Sequence, residues 1–136
     1  MNDSTLNKLA TIDRCLKRIR EVYDLAKEQF DTDYTSQDSI ILNLQRACEA
    51  SIDVANILNK QHSIGIPQSS RDSFELLKKA GIISAPLALS LQKMVGLRNV
   101  AVHDYQTLNL EIVKHVVEHR LAEFEGFVDS VKSMNN

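Results

Sequence analysis

Residues 9–30 read LATIDRCLKRIREVYDLAKEQF. Leu9, Ile12, Leu16, Ile19, Tyr23, Ala26 and Phe30 recur at alternating steps of three and four. Only a helix of 3.6 residues per turn gathers such a series on one face. Asp3 or Ser4 is expected to cap its start. The polar stretch DTDYTSQD, residues 31–38, reads as a turn. A second stripe then begins with Ile40, Leu44, Ala47, Ser51, Val54 and Leu58, widened by Ile41, Cys48 and Ala55. Two wide-striped helices joined by a short polar loop should pack antiparallel.

The same reading extends to the rest of the chain. Residues 59–70 form a loop broken by Gly65 and Pro67. Asp72 and Glu75 have the spacing of a capping box and open a short helix. That helix should close at Gly81, which suits the left-handed position past a helix end, after Lys78 and Lys79, which suit the negative end of the dipole. Ser84 can cap the next helix, with Pro86 in its first turn and a stripe of Leu87, Leu91 and Met94/Val95. A final helix starts near Asn109, with Leu108 and Val113 as a hydrophobic staple. It carries Leu110, Val113, Val117, Leu121, Phe124, Val128 and Val131 on one face. The expected architecture is an all-α bundle of four long antiparallel helices plus one short helix, forming one domain over residues 1–136.

Composition supports this and excludes other classes. With 43% hydrophobic and 25% charged residues in 136, the chain is neither disordered nor fibrous. Four glycines and two prolines are too few for the many tight turns of an all-β fold. No apolar run is long enough to span a bilayer, and the opening MNDSTLNKLATIDR has no basic stretch followed by an apolar one, so no secretory leader is predicted. A net charge of −2 argues against a protein that coats nucleic acid through bulk basicity, and leaves room for a local phosphate pocket. Cys15 and Cys48 lie within apolar stripes without zinc spacing, and are expected to be buried free thiols in a reducing cytosol. Neither a metal nor a cofactor is expected.

The chemically informative stretch is residues 96–106, GLRNVAVHDYQ. Extending the fourth helix's stripe past Val95 leads through Arg98, Val102 and Tyr105. An arginine thus stands where the pattern wants an apolar side chain. Such a charge must reach an edge, pair with an acid or line a cleft that binds an anion. Gly96, Asn99, Val100, Val102 and Asp104 are weak helix formers, which makes a bend or a helix end plausible here. On a straight helix, His103 lies about 140° around the axis from Arg98. The two converge only if the chain bends near residues 99–103, or if a second copy of the chain completes the cleft.

The pattern Arg98-x-x-x-x-His103-x-Tyr105 resembles the signature of HEPN-domain ribonucleases. More narrowly, it resembles the HepT toxins paired with minimal nucleotidyltransferase antitoxins. The resemblance covers the whole chain: its size, its all-helical order, and an R-N-x-x-V-H-x-Y element before the last helix, with Arg98, Asn99, His103 and Tyr105 all kept. It implies a cytoplasmic homodimer that cuts RNA without a metal, by in-line attack of the 2′-OH on the adjacent phosphate. Such a reaction leaves a 2′,3′-cyclic phosphate. It needs a base, an acid and a cation for the phosphorane charge. Histidine suits the first two roles near neutrality, and arginine grips phosphate in a bidentate fork. A symmetric dimer supplies two of each. Asn99 would orient the histidine or donate to phosphate. The resemblance further implies that the antitoxin transfers AMP units from ATP onto Tyr105. Their bulk and negative charge would occupy Arg98 and block RNA.

Other candidates are weaker. Glu49 and Asp53, four residues apart near Arg46, are candidate cleft acids that would pair with Arg98; the plainer reading is a solvated face. His62, His115 and His119 read as structural or exposed, although His115 and His119 have i, i+4 spacing. Lys78, Lys79 and Lys93 read as solvated charges that could add RNA contacts. Two rival functions remain open at this level: a non-catalytic module that binds nucleotide or partner, and a purely structural helical adaptor.

Overall fold

A computed structural model describes residues 1–134, and all of their regular structure is helical. The order is α1 (Asp3–Ala26), a 3-10 turn (Lys27–Asp31), α2 (Tyr34–Gln61), α3 (Ser70–Lys79) and α4 (Ala85–His103). A second 3-10 turn (Tyr105–Thr107), α5 (Leu110–His119) and α6 (Leu121–Ser133) follow.

Helices α1 and α2 form the antiparallel pair. Lys8 meets Asp53 at 3.1 Å near one end, and Gln37 donates to the Phe30 carbonyl at 2.8 Å near the other. Between them, Leu9, Ile12, Leu16, Ile19, Ile40, Leu44, Ala47, Val54 and Leu58 lie in one apolar core. Each large aliphatic side chain there contributes about 1.5–3 kcal/mol by leaving water. Cys15 and Cys48 are buried and free, and burial pushes the Cys48 thiol up to about 12.

Several boundaries differ from expectation, each for a local reason. Asn2 caps α1, accepting from the Thr5 amide at 2.8 Å, so Asp3 and Ser4 already lie in or at the first turn. The α1 stripe reaches Phe30 only through the 3-10 turn. Asp33 caps α2, accepting from both the amide and the hydroxyl of Ser36. The second half of the polar 31–38 stretch is therefore helix. The cap of α3 is Ser69, which accepts from the Asp72 amide, while Asp72 reaches back to the Gln68 amide. The reciprocal box thus sits three residues earlier than Asp72–Glu75. At the other end of α3, Gly81 takes φ +78°, and Ile82 N–H reaches the Leu77 carbonyl, closing the helix as its sequence promised.

The one correction of architecture is the last helix. It is not continuous: it breaks at Arg120, whose φ of −123° leaves the helical basin. No glycine or proline marks the place. Two tertiary bonds tie α5 to distant residues: Glu118 accepts from the Tyr23 hydroxyl, and Lys114 pairs with Asp31 at 3.1 Å. Arg120 closes the break by pairing with Glu123 at 3.0 Å. The apolar stripe crosses the break without losing phase, since Val113, Val117, Leu121 and Phe124 are all buried.

Phe74 of α3 packs edge-on against Phe127 of α6, with centroids 5.7 Å apart and both rings fully buried. Replacing Phe127 by alanine should cost about 3–5 kcal/mol, the range for deleting a buried aromatic ring. Urea denaturation measures this, and a loss below about 1 kcal/mol would mean that the site collapses without a cavity.

Candidate active site

The site residues descend from the C-terminal half of α4, whose path is fixed from its start. Ser84 caps it, accepting from the Leu87 amide at 3.2 Å, and Pro86 sits in the first turn. Its apolar side, Ala88, Leu91, Met94, Val95 and Ala101, is buried. The helix then runs unbroken to His103, despite its poor helix formers. This removes one of the two routes to convergence. With no bend, Arg98 and His103 of one chain project about 140° apart.

Arg98 turns inward. With Ile41, Leu44, Gln45 and Cys48 of α2 it lines a small, partly open cavity that also touches Met94, Leu97 and Ala101. Its Nη2 stands 3.5 Å from the Ser70 hydroxyl at the start of α3, and its Nε is buried without a hydrogen-bond partner. Among the described residues, no carboxylate pairs with it. His103 is the last residue of α4 and is exposed. Asn99 is half-buried one turn earlier, on the same face as His103.

Tyr105 begins the 3-10 turn immediately past α4. The residue is 43% exposed, and its hydroxyl donates to Asp38 Oδ1 in the second turn of α2. Burial and, after it, the Asp38 hydrogen bond and charge push the phenol up to about 12.

The two candidate acids do not meet Arg98 within the chain. Asp53 pairs with Lys8 at 3.1 Å, and it shares a shallow groove with Glu49, Lys8, Thr11 and Arg46. The reason is register. Arg98 packs on the 41–44–48 line of α2, whereas residues 49 and 53 lie on the line that faces α1. His62 is exposed at the end of α2; the His115 and His119 rings lie 5.0 Å apart on α5. Lys78 pairs with Glu75 at 2.8 Å, while Lys93 lines an open cleft of about 260 Å³ with His115 and Arg120.

Comparison with known proteins now bears on these residues. Residues 12–131 match the model of the family described as Ribonuclease HepT-like. The chain belongs to the HepT-like ribonuclease family. It is 61% identical over 133 residues to the mRNA nuclease HepT of Shewanella oneidensis, covering 98% of this chain and 99% of that protein. Its fold matches the tri-AMPylated HEPN toxin of the same organism, solved in complex with MNT antitoxin, with a TM-score of 0.93. That match is at 61% identity and covers 98% of this chain and 99% of the other. A toxin–antitoxin structure with AMP-PNP matches equally well, with a TM-score of 0.93 at 60% identity over 97% of this chain and 99% of that one.

Two residues beside these side chains were not singled out from the sequence. Asp38 lay in a stretch read as a turn. The usable signal was the Asp33/Ser36 cap, which starts α2 early enough to make residue 38 helical. Arg71, beside Ser70, lays its guanidinium across α4: Nε donates to the Gln92 carbonyl at 3.3 Å, and Gln92 returns a bond to the Arg71 carbonyl at 3.1 Å. Gly96 makes room for it, since a Cβ there would stand 2.9 Å from Arg71 Nη2. The group that must give way is the tip of a flexible side chain, and alanine gains about 1 kcal/mol over glycine in a helix interior. Gly96→Ala should therefore leave stability within about 1 kcal/mol of wild type while displacing Arg71. Thermal denaturation checks this; a loss of several kcal/mol would mean that Arg71 has nowhere else to go.

Proposed function

We propose that this chain is the toxin of a toxin–antitoxin pair: an endoribonuclease that acts as a homodimer and is silenced when its partner nucleotidyltransferase places AMP on Tyr105. The observation that carries the reading is the state of Arg98. A half-buried guanidinium normally sits against a carboxylate, because an unpaired charge out of water is costly. Arg98 has no such partner among the described residues, and its Nε has no acceptor. A side chain in that condition is arranged for an anion that arrives from outside, and an RNA phosphate fits its bidentate fork.

The unbroken α4 supports the dimer. One chain cannot turn Arg98 and His103 onto the same phosphate from a straight helix, so a symmetric pair of chains would supply the missing groups across a shared cleft. In that cleft, one histidine takes the 2′-OH proton and the other protonates the leaving 5′-oxygen. The arginines hold the charge that develops on phosphorus, and Asn99, one turn from His103, orients the imidazole. Asp53 pairs with Lys8, Glu49 lines the same groove, and neither has a part in this reading. The mRNA nuclease activity named for the Shewanella oneidensis relative and the tri-AMPylated state of its toxin support it from outside the chain.

Arg98→Ala and His103→Ala should each lower RNA cleavage by about 100-fold or more, the scale of one general acid–base or charge-stabilising group. Elution on size exclusion should be unchanged. Cleavage should persist in EDTA and leave 2′,3′-cyclic phosphate ends. A variant that cuts at the wild-type rate sinks the assignment; a wild-type dimer that binds RNA without cutting it favours a binding module. Incubation with the partner transferase and ATP should add AMP-sized mass to the wild type and none to Tyr105→Phe, read by intact-mass spectrometry.

A further inference from the structure

The proposed modification needs a proton acceptor. A phenol at neutral pH is protonated, and its oxygen becomes a competent nucleophile toward phosphorus only as that proton leaves. The Tyr105 proton already points at a base. The hydroxyl donates to Asp38 Oδ1, across a sequence separation of 67 residues. We infer that Asp38 is the group that accepts the Tyr105 proton as that oxygen takes a nucleotidyl unit, so that the acceptor chain carries a catalytic residue for its own modification. The inference rests on the reading of Tyr105 given above.

Three observations carry it. First, the geometry is that of a reacting pair left open to a reagent. Tyr105 and Asp38 are both exposed, so a nucleoside triphosphate can approach the phenolic oxygen while the carboxylate keeps its hold on the proton. Second, the contact is not what holds either element in place. The 3-10 turn is closed by Thr107 N–H to the Asp104 carbonyl at 3.0 Å and Leu108 N–H to the Tyr105 carbonyl at 3.1 Å. The start of α2 is held by its Asp33 cap. Third, the phenol is harder to ionise than a free tyrosine: burial and then Asp38 push it up to about 12. A free phenolate is therefore scarce at neutral pH, and the proton has to leave as the bond to phosphorus forms. Asp38 is the acidic side chain that acts on this phenol both by hydrogen bond and by charge.

The step balances. A bond forms between Tyr105 Oη and the α-phosphorus of ATP. The bond from that phosphorus to the oxygen bridging the α- and β-phosphates breaks, and pyrophosphate leaves with the electron pair. The phenolic proton passes to the Asp38 carboxylate and from there to water. In the product, Oη has no proton to donate, and a phosphodiester anion stands where the hydroxyl met the carboxylate. Attraction is replaced by like-charge repulsion, so the modified ring leaves α2.

The test measures steady-state AMP transfer from ATP to the full-length chain by the partner transferase. Asp38→Asn keeps the size and can still accept a hydrogen bond, but it cannot take a proton. It should lower kcat on the order of 100-fold at neutral pH with KM for the toxin chain unchanged. The rate should then climb with hydroxide, whereas the wild-type rate stays level between pH 6 and 9 (a span of roughly three units around the neutral operating range). Asp38→Glu, which restores the carboxylate, should recover much of the loss. In absorbance titration, Asp38→Asn should bring the Tyr105 phenol down from about 12 toward its ordinary value. An unchanged kcat in Asp38→Asn, a loss confined to KM, or a wild-type rate that rises with hydroxide would overturn the role of Asp38 while leaving Tyr105 as the acceptor. AMP found on a chain in which Tyr105 is phenylalanine, or none on the wild type, overturns the acceptor assignment and this inference with it.

Discussion

A guanidinium drawn half into a helical core without a counter-charge is the constraint around which this molecule is arranged. Placing Arg98 on the line of α4 that packs toward α2 forfeits the apolar contact that a leucine would make there. It also leaves an Nε that the protein does not satisfy. The surroundings of Arg98 are mostly apolar, with polar side chains at two points. Ser70 opens α3 beside it, and Gln45 lines the cavity beneath it. Hydrogen bonds to α2 help to orient α3. Asn59 donates to the Ser73 carbonyl at 3.1 Å, and the Ser73 hydroxyl donates to Asn56. Those bonds fix where Ser70 and Arg71 stand relative to α4.

The second arrangement is the joint between the end of α4 and the start of α2. Tyr105 lies just beyond the helix that carries Arg98 and His103, and its hydroxyl is held by Asp38. The residue that would carry the silencing group is thus joined in sequence to the residues it would silence and joined in space to a different helix. An anionic nucleotide at that point would add negative charge just past the end of α4 and would replace the hydroxyl that meets Asp38 of α2. The local physics is that of any phosphate-bearing modification: new negative charge is stabilised near arginine and repelled by carboxylate.

Much of the helix content was legible because it is encoded over three and four residues. The 9–30 and 40–58 stripes, the Ser84 cap with Pro86 and the Gly81 stop are local signals, and each appears in the folded chain with shifts of a few residues at the ends. The break at Arg120 was not legible. No local residue demands it, and the bonds that α5 makes beside it, from Glu118 to Tyr23 and from Lys114 to Asp31, reach residues distant in sequence. That Asp53 pairs with Lys8 and not with Arg98 within the chain was not legible for a related reason. A one-residue difference along α2 rotates a side chain by about 100°, enough to turn it from α4 toward α1.

The sequence by itself determined that this chain is an all-helical protein and that Arg98, Asn99, His103 and Tyr105 fall in one short stretch near the end of the fourth helix, because spacing along a helix is a local property. The tertiary structure alone decided that the helix stays straight, so that Arg98 faces inward and His103 outward. It also decided that Asp38, 67 residues away, receives the Tyr105 hydroxyl. Those outcomes depend on the angles and offsets at which distant helices pack, and no window of neighbouring residues contains them.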